Sequence, residues 1–143
     1  MDNSSLNLIK LSVGTESVDT LQAWQSSPQA QGSDGLPRHV TRMWPRREEE
    51  LLKGGSIYWV IKGFVQARQT ILRLDEVVRS DGIRRCGIVL DPELIHTASA
   101  KRRPFQGWRY LESGSAPVDL PKGQANDDLP PSLMAALADI GVR

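Results

Sequence analysis

Cysteine, histidine and long apolar runs are what this 143-residue sequence has least of, and each scarcity excludes something. The single Cys86 cannot form an intramolecular disulfide. No Cys/His spacing offers a structural zinc site, so the fold is expected to stand without staples or metal in a reducing, cytoplasmic setting. The apolar run Leu6 to Val13 is broken by Asn7 and Lys10, and the acidic Asp2 precedes it where a basic flank would be needed. It reads as neither a signal peptide nor a membrane span. What is present is an ordinary globular composition, 39% hydrophobic with 12 glycines, at a length that suits one domain over residues 1–143.

The chain also has little net charge, +1, but this is a cancellation. Residues 38–109 hold 15 Lys and Arg against eight Asp and Glu, and the remainder holds three against nine. The middle is therefore +7 and the ends −6. A basic centre rich in arginine suits planar, bidentate contacts to phosphate. The competing expectation is that these charges are scattered and paired with neighbours such as Glu48 to Glu50, Asp75 and Glu76.

Hydrophobic period and turn residues place the elements. Leu6 to Val13 alternates as a strand, with Leu6, Leu8 and Lys10 on one side. Thr15 or Ser17 caps a short helix carrying Val18, Leu21 and Trp24, and Ser26 to Leu36 has almost no apolar residue, as a flexible loop would. A strand ends at Trp44, Pro45 opens a helix running to Lys53, and Gly54-Gly55 stops it. Ser56 to Lys62 is the clearest strand. Gly63 bends the chain, segments follow at Phe64 to Arg68 and Thr70 to Val78 with a bulge near Asp75, and Ser80-Asp81-Gly82 turns into a strand at Ile83 to Leu90. Phe105 to Leu111 is the last strand, residues 112–131 form a long irregular connection, and Ser132 to Ile140 forms a closing helix. These elements imply an α+β fold: a small, mostly antiparallel, barrel-like sheet with flanking helices.

Two segments interleave cations with aromatics, the combination that neutralises phosphate while stacking bases. Arg42, Trp44, Arg46 and Arg47 lie in the first, and Arg102, Arg103, Gln106, Trp108, Arg109 and Tyr110 in the second. Trp44, Trp108 and Tyr110 have an alternative reading as core residues whose polar tips reach the surface. No catalytic set emerges. His39 and His96 are far apart in sequence, Cys86 falls on a buried strand face where a thiol is inert, and Asp91-Pro92-Glu93 reads as a turn.

Val40 to Arg47, Glu50 to Gly63, Val65 to Gln69, Arg85-Cys86, Leu90 to Leu94 and Arg102 to Leu111, together with Leu8 to Leu11, resemble a family of small bacterial proteins catalogued only as a domain of unknown function. The resemblance spans nearly the whole chain through residue 111 and implies no established activity, cofactor or catalytic residue. At the level of element order the chain is also similar to the PUA-like fold, whose ASCH and EVE modules bind RNA or modified nucleobases. The expectation is a noncatalytic nucleic-acid or nucleotide-binding module, with RNA or single-stranded nucleic acid as partner and without membrane contact. The alternatives are a small enzyme acting on a phosphorylated metabolite through the same arginines with His39, His96 or Asp91, and a protein-interaction module that uses the acidic C-terminal region around Asp127 and Asp128.

Overall fold

A computed structural model of the chain describes residues 6–121. The order is β1 (Leu6–Leu11), α1 (Val18–Gln25), β2 (Arg38–Thr41), α2 (Glu48–Leu51), β3 (Ser56–Ile61), β4 (Phe64–Val78), β5 (Arg84–Leu90), β6 (Ile95–Lys101) and β7 (Trp108–Glu112). Single 3-10 turns lie at Pro28–Ala30 and Ser113–Ser115.

The 15-residue β4 is the spine of an α+β fold. Its first half takes β3 on one edge and β6 on the other, and its second half pairs with β5. Strand order is β2-β5-β4-β3-β1-β7, with β6 added on β4. Only β1 and β3 run parallel, because the chain between them crosses back through α1, β2 and α2.

The expected barrel does not close. Among the described residues β2 and β7 end the order without pairing with each other, which leaves an open, mixed sheet. The strand expected to reach Trp44 stops at Thr41, whose hydroxyl accepts from the Met43 amide and turns the chain away; Pro45 further on has no amide to donate to a ladder.

Local chemistry explains the other departures. Lys62 and Gly63 both have positive φ, 53° and 85°, as a two-residue hairpin with matched twist requires, so β3 ends at Ile61. The segments expected at Phe64 to Arg68 and Thr70 to Val78 merge into β4, and its bulge with β5 falls between Ile71 and Arg73, not at Asp75. The helix after Pro45 spans only Glu48–Leu51. Gly55 is demanded by close approach: a Cβ there would meet the Leu6 and Leu51 carbonyl oxygens at 2.2 and 2.4 Å. β6 escapes sequence reading because Ala98, Ser99 and Ala100 have little strand propensity; pairing with β4, and a bridge from Thr97 to Asp119, hold it.

Ser17 caps α1, accepting from the Thr20 amide at 3.1 Å. The helix buries Val18, Leu21 and Gln25, whereas Trp24 stays 51% exposed. The Ser26 to Leu36 segment, expected as a flexible loop, has its own 3-10 turn, buries Ala30 and is held through Asp34 to Arg38 and Arg73. Beyond β7 the described chain hydrogen-bonds back to β6 through Val118 and Leu120. The helix expected at Ser132 to Ile140 lies outside the described residues.

Two apolar clusters sit on opposite faces, as strand alternation dictates. Leu6 and Leu8 of β1 join Ile57, Trp59, Ile88 and Leu90 on one, and Ile9 joins Tyr58, Val60 and Leu111 on the other.

Candidate nucleic-acid interface

The two cation-aromatic segments meet at β7. Trp108 Nε1 donates to the Met43 carbonyl at 2.8 Å, and the Tyr110 hydroxyl accepts from the amides of Arg46 and Arg47 at 2.9 and 3.1 Å. Side chains of the β7 edge thus grip the loop that leaves the β2 edge, bridging the gap that strand pairing leaves open. Alternation along β7 turns Trp108 and Tyr110 toward the larger cluster and Arg109 to the opposite face, where its guanidinium lies 5.2 Å from the Phe105 ring centre. Arg102, Arg103, Phe105 and Arg109 border a shallow hollow of about 370 Å³ there.

The aromatics are largely committed to the protein itself. Trp108 is 6% exposed, a core residue with its indole N–H occupied, so the stacking role expected of it is not available in this arrangement. Trp44 is half-buried, donates to Glu48 at 3.3 Å and carries the Arg84 guanidinium 4.2 Å over its ring. Tyr110 packs edge-on against Trp108 and has Arg47 at 5.5 Å from its ring centre. Gln106 is exposed, beside Gly107, whose φ is 67°. The apolar side chains missed as site members are supplied by packing: Phe105 is half-buried under Arg109, and Met43 is 47% exposed beside Gly107.

Charge pairing sorts the basic centre. Arg38 and Arg73 pair with Asp34 and Asp75, Arg68 with Asp119, Arg84 with Glu76, Arg85 with Asp81, and Lys62 with Glu16. Part of the acidic remainder, through Glu16, Asp34 and Asp119, therefore folds onto the basic centre. The Arg85 fork and the Ile83 amide hold the Asp81 carboxyl at about 2. Arg47 is held by Glu50, which raises the pKa of Arg47 and lowers that of Glu50. Among the described residues, Arg42, Arg46, Lys101, Arg102, Arg103 and Arg109 have no carboxylate at ion-pair distance, and all six belong to or adjoin the two segments.

The groups considered for catalysis do not assemble. Cys86 is fully buried and burial pushes its thiol up to about 12, so it is a poor nucleophile. His39 lines a cavity with Arg38, whereas neither His96 nor Asp91 lines it. Among the described residues no group of three or more His, Cys, Asp or Glu could hold a metal ion, and no helix is long and apolar enough to cross a membrane.

Comparison with curated proteins and with solved structures finds no match. A family model described as a protein of unknown function (DUF1489) does match, over residues 8–143, and so takes in the Ser26 to Leu36 segment and the stretch after Leu111 in which no family motif is legible; the chain belongs to that family.

Proposed function

We propose that the chain is a noncatalytic binding module for RNA or single-stranded DNA, which lies along the edge of β7 that has no partner strand among the described residues. Phosphates contact Arg42, Arg46 and Arg47 on one side of that edge and Arg102, Arg103 and Arg109 on the other. Phe105, Tyr110 and Met43 offer the apolar contact for bases. The observation that carries this reading is the sorting of charge: acidic partners cover Arg38, Lys62, Arg68, Arg73, Arg84 and Arg85. Although Arg79 and Lys10 also lack a carboxylate among the described residues, six of the cations without one gather at the meeting of the two segments, where Arg47 is only surface-paired. An exposed guanidinium without a carboxylate releases counterions from phosphate without first breaking an ion pair. The PUA-like analogy, a short helix followed by Gly54-Gly55 before β3 and the long β4, points the same way as a fold-level prior.

The test is binding of a fluorescein-labelled 12-nucleotide oligouridine across a salt series. Six phosphate contacts predict a log–log slope near −4, about a 300-fold loss of affinity between 50 and 200 mM salt. Absent or salt-insensitive binding overturns the proposal.

A further inference from the structure

Away from this edge, between α1 and the end of β1, a cavity of about 720 Å³ contains a half-buried imbalance of charge. Strand alternation is the origin of it. Leu6 and Leu8 of β1 point into the main apolar cluster, and Lys10, two residues on, shares their face where the cluster opens into the cavity. Its ammonium is half-buried. Among the described residues Lys10 has no carboxylate at ion-pair distance, and its hydrogen bond is a long one to the Leu11 carbonyl at 3.4 Å. No Asp or Glu lines the cavity. The other cation there, Arg38, is taken by Asp34 and Asp75.

The remaining walls are apolar on one side, with Ser12, Thr15, Thr20, Gln25, Ser27 and Gln29 supplying uncharged polar groups on the others. Trp24 stands half-exposed at the rim, Leu21 and Leu90 form sides, and the His39 and Trp59 rings meet edge to face at 5.8 Å. His39 Nε2 is buried without a hydrogen-bond partner. Burial, with the charge of Lys10 beside it, pushes the imidazole down to about 4, so near neutral pH it is an uncharged donor or acceptor. The Trp59 N–H is occupied by Gln69, so that indole offers the cavity apolar surface and no donor.

We infer that this cavity binds a small aromatic carboxylate, with the carboxylate on the Lys10 ammonium and the ring between Trp24, Trp59 and Leu90. The volume falls in the range of small-molecule sites, and an unpaired, partly desolvated ammonium beside the apolar surface of Leu21, Trp24, Trp59 and Leu90 is completed by one anion carried on an apolar body. The site shares no residue with the β7 edge and does not depend on nucleic-acid binding.

Calorimetric titration of the full-length protein with 2-naphthoate and with its neutral counterpart 2-naphthalenemethanol tests this. A charge-assisted contact predicts naphthoate binding about 10- to 100-fold more tightly than the alcohol. Lys10→Met should remove that preference and leave alcohol binding unchanged, Lys10→Arg should keep it, and Ala23→Trp, which fills the cavity from the exposed side of α1, should abolish binding of both. An Arg102→Ala/Arg103→Ala variant should bind naphthoate as the wild type does, which separates this site from the β7 edge. Equal affinity for the two probes, no binding of naphthoate at millimolar concentration, or a preference that survives Lys10→Met overturns the inference.

Discussion

Trp108 reaches across the mouth of the open sheet and donates its indole N–H to the Met43 carbonyl, 65 residues earlier in the chain. With the Tyr110 hydroxyl receiving two amides from the same loop, it joins sheet edges that no ladder joins. Stability and the geometry of the arginine-bearing loop therefore depend on the same two side chains.

Trp108→Phe keeps an aromatic in the core but orphans the Met43 carbonyl, so it should cost about 1–3 kcal/mol. Tyr110→Phe exposes two amides that water reaches, and should cost less, about 0.5–1.5 kcal/mol. Urea unfolding checks both as a fall in midpoint with unchanged slope.

Gln69 is 0% exposed and couples α1 to the sheet. It exchanges amide hydrogen bonds with Gln25, accepts from Trp59 Nε1 at 2.9 Å and donates to the Asp91 carbonyl at 2.9 Å. Gln69→Leu strands several buried partners and should destabilise by about 3 kcal/mol or more. Gln25→Leu combined with it should cost less than the sum of the two, which a double-mutant cycle of unfolding measures.

Gly55→Ala places a methyl against two backbone oxygens that cannot move aside, whereas Gly114 faces open space. The first substitution should destabilise by about 2–4 kcal/mol or prevent folding, and Gly114→Ala should change stability by no more than about 0.5 kcal/mol. Thermal melts of the pair provide the comparison.

His39 makes stability depend on acidity. Because burial holds its folded pKa at about 4, below the unfolded value near 6.5, the unfolded chain takes up a proton first as pH falls. Stability should therefore fall between pH 6.5 and pH 4, by up to about 3 kcal/mol, and His39→Gln should flatten that window. The Asp34 carboxyl, held at about 2 by the Leu36 amide and by Arg73, contributes its loss at lower pH, so the two groups separate in a pH series of melting temperatures.

Charge pairing predicts which arginines matter for oligonucleotide affinity. Arg102→Ala should make the salt slope shallower by about 0.7, the loss of one single-strand phosphate contact. Arg73→Ala, at a site already bound to Asp34 and Asp75, should leave the slope unchanged. Equal effects of the two substitutions would place the binding surface elsewhere.

Much of the architecture is legible from local signals. The Ser17 cap, the alternation of β1, the apolar run of β3 and the turn before β5 all follow from residue type and spacing. β6 and the open barrel are not legible, because each depends on what lies beside the strand. Alanine and serine become strand only next to β4, and a sheet closes only if its edges meet. The site divides in the same way. The sequence marks Arg42 to Arg47 and Arg102 to Tyr110 as segments, but Trp108 and an interface tryptophan have the same composition until packing is known.

By itself the sequence determined the scarcity of cysteine and histidine, the α+β class and the uneven charge behind a net of +1, since composition and periodicity are local properties. Only the tertiary structure decided which charges remain free. Ion pairing joins residues distant along the chain, as when Asp34 meets Arg73 and Asp119 meets Arg68, and it is the folded path of the backbone that brings them within reach or keeps them apart.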